Sequence, residues 1–143
     1  MEMKMSEITK VLYTAKTHTT GGRENGAARS SDGRLDVRLS APGATGIGTN
    51  PEQLFAAGWS ACFESAILLV AQKKRVALPS GVIIDAEVDL RLGGDGYSLA
   101  ARLNVDIPDV PRDTAEALVA EADKICPYSK ATRGNVKILI ALV

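Results

Sequence analysis

Aromatic side chains are scarce: two phenylalanines, one tryptophan and three tyrosines make up 4% of the 143 residues. So few rings argue against a platform that stacks nucleic-acid bases. An excess of one charge is also missing, because 17 Lys and Arg balance 17 Asp and Glu. With no net charge, neither nucleic acid nor a membrane surface is expected as a partner held by bulk electrostatics. The longest unbroken apolar runs, residues 66–71 and 138–143, fall far short of the roughly 20 residues that span a bilayer. Residues 1–10 (MEMKMSEITK) alternate charged and apolar types with no signal-peptide core. A cytoplasmic protein with no membrane association is therefore expected, and Met1, Met3 and Met5 read as an extended start.

Metal ligands are just as sparse. Cys62, Cys126 and His18 are the only Cys or His residues, and a structural zinc site uses four. HExxH, CxxC and the phosphate-cradling GxxxxGK[ST] do not occur. Neither a metal nor a cofactor is expected. A hydrolase triad would need His18 as its base, yet His18 sits in a Thr-rich stretch (residues 16–20) and reads as a solvated strand or loop residue. The remaining chemistry is that of thiols. In a cytoplasmic setting a cysteine pair is catalytic, redox-sensing or inert more often than a structural staple.

The length predicts one domain over residues 1–143. Residues 8–14 read as a first strand, 17–32 as a Thr-, Gly- and Ser-rich stretch with turns at Gly21-Gly22 and Asp32-Gly33, and 35–39 as a half-buried strand. Residues 41–49 (APGATGIGT) form a glycine-rich connector. Asn50-Pro51-Glu52 opens a long helix: Asn caps backbone donors, Pro suits the first turn and the acid complements the dipole. The helix is expected to reach about Arg75, with Pro79-Ser80-Gly81 as its stop. Strands near 82–92 and 97–107 flank a Gly93–Gly96 turn, a second helix covers about 113–126 until Pro127 ends it, and a last strand covers 135–143. This order predicts an α+β fold and not alternating βαβ units.

The long helix carries two adjacent apolar stripes, Leu54, Gly58, Cys62, Ala66 and Leu69 beside Phe55, Trp59, Phe63, Ile67 and Val70. A helix so apolar around its circumference must be covered on nearly every side. A chain of this size has little with which to cover it, so a homodimer with this helix at its centre is expected. By position alone, Cys62 reads as an inert buried thiol, too far along the helix for the end dipole to reach. Arg23, in Gly21-Gly22-Arg23-Glu24-Asn25-Gly26, reads as a solvated hairpin charge that paired glycines would allow to approach another group closely.

Four stretches change that weighting: Tyr13-Thr14-Ala15, Gly21-Gly22-Arg23, residues 49–63 (TNPEQLFAAGWSACF) and 126–135 (CPYSKATRGN). In this order and at these intervals the chain resembles the organic hydroperoxide resistance (Ohr) branch of the Ohr/OsmC thiol peroxidases. The resemblance implies an OsmC/Ohr-like fold of antiparallel sheets wrapped around two central helices in an intertwined homodimer. It implies that Cys62 is the peroxidatic cysteine, Cys126 the resolving one, Arg23 the arginine that keeps the sulfur as thiolate, and Glu52 the carboxylate that holds the arginine. Whether Arg23 and Glu52 serve Cys62 of their own or the partner chain stays open. Trp59 stands where a tyrosine is common, and Glu24-Asn25-Gly26 replaces a shorter acidic turn.

An organic hydroperoxide would be reduced at Cys62 through a sulfenic acid and a Cys62–Cys126 disulfide. A lipoylated protein or other dithiol would regenerate the pair. Leu54, Phe55, Trp59 and Phe63 are candidates for an apolar substrate pocket that favours organic over hydrogen peroxide, most of this stripe being dimer core. The alternatives are a cysteine-based redox sensor or binding protein without turnover and a structural dimer with inert thiols.

Overall fold

The computed structural model describes residues 9–143, and its contacts group into two compact units, one ending at Asn50 and one running Pro51–Val143. The first unit holds a three-stranded antiparallel sheet in the order β1 (Thr17–Thr20), β2 (Ala27–Ser30), β3 (Asp36–Arg38), with a single helical turn, α1 (Gly22–Asn25), between β1 and β2. Residues 9–14 are not strand; the first strand among the described residues lies at Thr17–Thr20, inside the Thr-, Gly- and Ser-rich stretch. Ile8 of the expected strand and Met1, Met3 and Met5 lie outside the described residues. All four β1 residues are exposed, so no buried face imposes an alternating pattern on them. Gly21 and Gly22 take φ of 80° and 75°, the left-handed region that glycine enters without a Cβ penalty, and so turn the chain into α1. A Cβ at Gly26 would collide with backbone oxygens of Gly22 and Thr20, so only glycine closes that turn.

The second unit is built on α2 (Pro51–Lys74). Its inner face, Trp59, Phe63, Ala66, Ile67, Val70 and Ala71, is buried, packed with Leu103, Val105, Leu118 and Ala122 in one core. Full burial of a large apolar side chain stabilises by about 1.5–3 kcal/mol relative to exposure. By length and composition α2 would pass for a membrane span, although no single unbroken apolar run is long. The helix ends at Lys74, within a residue of the expected end near Arg75. Arg75 turns left-handed (φ 58°) and the Val76 N–H bonds the Ala71 carbonyl at 2.9 Å, closing a Schellman-type cap.

Two long strands follow, β4 (Ile83–Gly93) and β5 (Gly96–Asp106), paired antiparallel around Gly94-Asp95. Then come α3 (Arg112–Ile125), a short α4 (Pro127–Thr132) and β6 (Lys137–Leu142). Two differences from the sequence expectation stand out. Pro127 ends α3 but also starts α4, because its missing N–H and fixed φ suit a first helical position. And β6 pairs parallel to β5, so the second sheet, in the order β4-β5-β6, is mixed. The α+β class holds.

Candidate functional site

The two thiols, 64 positions apart in sequence, lie side by side. Cys62 sits on α2 and Cys126 at the α3–α4 junction, with Sγ–Sγ at 3.6 Å. Both are free thiols. Closing this gap to a disulfide length of about 2.05 Å needs the two sulfurs to approach by about 1.5 Å. Cys126 is held by backbone on both sides: its N–H bonds the Ala122 carbonyl at 2.9 Å, and its carbonyl accepts from the Lys130 N–H at 3.0 Å. It is 0% exposed, sealed within the core of the second unit, whereas Cys62 keeps part of its surface open. Of the pair, Cys62 is therefore the sulfur an incoming molecule can reach.

The Cys62 thiol is pushed above its ordinary value, first by burial and then by the hydrogen bond and charge of the neighbouring Cys126 sulfur. The backbone N–H of Tyr128, in the first turn of α4, pulls in the other direction by donating to the sulfur. Thiolate chemistry at neutral pH thus calls for a positive charge brought to Cys62.

Around the thiols, α4 is fastened to α2. The Trp59 Nε1–H donates to Ser129 Oγ at 3.3 Å, with both residues buried. The Tyr128 ring lies over Gly58, where an added Cβ would sit 2.6 Å from its hydroxyl oxygen. Phe55 meets both Trp59 and Tyr128 edge to face, at centroid distances of 5.7 and 6.1 Å. Tyr128 and Ser129 carried no assigned role in the sequence reading. The signal for Ser129 was the lone indole N–H of Trp59, which needs an acceptor once the ring is buried.

The expected pocket residues divide. Phe63 (0% exposed) and Trp59 (1% exposed) are closed off inside the core, while Leu54 and Phe55 keep accessible surface. Glu52 occupies the first turn of α2, ten residues before Cys62 and therefore about 15 Å from it along the helix axis. Arg23 lies in α1 of the first unit, half-buried, directly after the two left-handed glycines. Among the described residues no group of three or more His, Cys, Asp or Glu side chains is placed to hold a metal ion.

Comparison with known proteins adds to this geometry. Residues 42–141 match the family model described as OsmC-like protein. An organic hydroperoxide resistance protein from Xanthomonas axonopodis pv. citri (strain 306) is 45% identical over 96% of this chain and 99% of its own length. The organic hydroperoxide resistance protein OhrA of Bacillus subtilis is 40% identical over 93% of this chain and 97% of its own. Among solved structures, OhrB of Bacillus subtilis superposes with a TM-score of 0.87 at 40% identity, covering 93% of this chain and 100% of that one.

Proposed function

The chain belongs to the OsmC-like protein family, on its organic hydroperoxide resistance branch, and on that premise we propose that it is a thiol peroxidase that reduces organic hydroperoxides to alcohols. The observation that carries this reading is the thiol pair itself: one reachable sulfur and one sealed sulfur, 3.6 Å apart. The Cys62 thiolate attacks the distal oxygen of ROOH. The O–O bond breaks, RO⁻ leaves and takes a proton to become ROH, and Cys62 becomes a sulfenic acid. Cys126 then condenses with it, forming the Cys62–Cys126 disulfide and releasing water. A dithiol, with a lipoyl group on a lipoylated protein as the favoured candidate, exchanges with the disulfide and restores both thiols.

Within this reading Arg23 supplies the charge that holds Cys62 as thiolate, and Glu52 orients the arginine through a carboxylate pair. A planar guanidinium can serve both partners at once. Leu54 and Phe55 are the candidates for contact with an alkyl chain, since their apolar surface is still open. The active form is a homodimer: α2 leaves Leu68 and Leu69 46% and 43% exposed, and a second copy of the chain would cover them. The protein works in the cytoplasm.

The test separates the two cysteines. Cys62→Ser is expected to consume no organic hydroperoxide. Cys126→Ser is expected to complete one turnover and then stop as Cys62 over-oxidises. Steady turnover of the Cys126 variant at the wild-type rate would refute the two-cysteine cycle. A redox sensor without turnover would show oxidation of the wild-type pair but no catalytic consumption with excess dithiol.

A further inference from the structure

We propose that Trp59 and Ser129 form a positioning strut that holds Cys126 against Cys62, and so sets how the oxidised Cys62 divides between disulfide and over-oxidation. The two helices are joined by the sulfur pair and the Trp59–Ser129 bond, beside the Tyr128 N–H donated to the Cys62 sulfur. Trp59 precedes Cys62 by three residues, close to one turn of α2, and Ser129 follows Cys126 by three residues in α4. The indole N–H to hydroxyl distance is 3.3 Å and the sulfur to sulfur distance is 3.6 Å. Trp59 is 1% and Ser129 3% exposed, so both ends of the bond are buried.

The backbone around Cys126 makes α4 the relevant lever. Its N–H closes α3, its carbonyl opens α4, and Pro127 fixes the turn between them. The thiol is therefore tied to the position of α4 as well as to that of α3. Tyr128 adds a close approach of its hydroxyl end to Gly58 and an edge-to-face contact with Phe55. The Trp59–Ser129 bond is directional and restrains how far α4 can shift from α2.

The functional consequence rests on the peroxidase reading; the positioning itself does not. Once Cys62 is a sulfenic acid, two reactions compete. Condensation with the Cys126 thiol gives the disulfide and water. Attack on a second hydroperoxide gives the sulfinic acid and a second alcohol. The first is intramolecular, and its rate scales with the effective concentration of the Cys126 thiol at Cys62.

The experiment compares the wild type, Ser129→Ala and the double variant Trp59→Phe/Ser129→Ala. Ser129→Ala strands a buried donor, whereas the double variant removes donor and acceptor together, so a general loss of stability affects the two differently. Equilibration in glutathione redox buffers reads the effective concentration of the thiol pair without any peroxide, and both variants are expected to lose about tenfold or more. With cumene hydroperoxide, the sulfinic-to-disulfide ratio at Cys62, read by mass, is expected to rise by a similar factor of about ten in both. An unchanged equilibrium in the double variant would overturn the strut, whether or not Ser129→Ala alone shifts. Loss in both variants alongside a wild type inert to hydroperoxide would uphold the strut and refute the peroxidase reading.

Discussion

At Cys62, burial and a neighbouring sulfur push the thiol up while one backbone N–H pulls it down. Taken alone these give a sluggish thiol at neutral pH, which is why the proposed role of Arg23 matters. A nearby cation favours the thiolate, so its removal must raise the pH at which Cys62 half-ionises. Arg23→Ala is therefore expected to move the Cys62 titration, followed by ultraviolet thiolate absorbance, to higher pH. It should also slow oxidation by organic hydroperoxide at neutral pH by at least about tenfold, the cost of one pKa unit or more. A titration curve identical to wild type would remove the assignment. The sequence by itself offered two cysteines 64 residues apart with no reason to pair. Only the resemblance joined them, because the contact is made by helix packing that no local pattern encodes. The unequal burial of the two sulfurs lay further out of reach, since it depends on the core closing around Cys126.

Among the elements, those with strong punctuation were legible. Asn50-Pro51 before α2, the glycines between β4 and β5, and the apolar spacing of α3 all place their elements within a residue or two. The misses have physical reasons. β1 is exposed on every residue and so carries no hydrophobic period. Pro127 serves as a stop for one helix and a start for the next, and its sequence context does not say which. The parallel pairing of β6 follows from the crossover through α3 and α4, not from anything within β6. The end of α2, by contrast, falls within a residue of its expected place, and its cap is an arginine in the left-handed conformation that favours glycine. Arg75→Gly is expected to relieve that left-handed strain and stabilise the fold by about 0.5–1 kcal/mol, measured as a higher midpoint in urea unfolding. A lower midpoint would mean that the Arg75 side chain contributes more than its backbone costs.

For the whole molecule, α2 poses the main question. One face fills the core while Leu68 and Leu69, on the same apolar helix, stay open to solvent. If a second copy covers that face, Leu68→Glu should shift sedimentation velocity from dimer to monomer. A wild type that sediments as a monomer across the micromolar range would instead contradict the dimer outright.

The central claim is that the paired thiols perform peroxide chemistry with a preference for organic substrates. A single-turnover oxidation of the fully reduced protein tests it most directly, using cumene hydroperoxide and hydrogen peroxide in parallel with free thiols counted by mass. The expected result is rapid loss of both thiols as one intramolecular Cys62–Cys126 disulfide, at least about tenfold faster with the organic peroxide, as apolar burial of an alkyl tail by about 1.4 kcal/mol would give. Slow oxidation, or equal rates with the two peroxides, would contradict it.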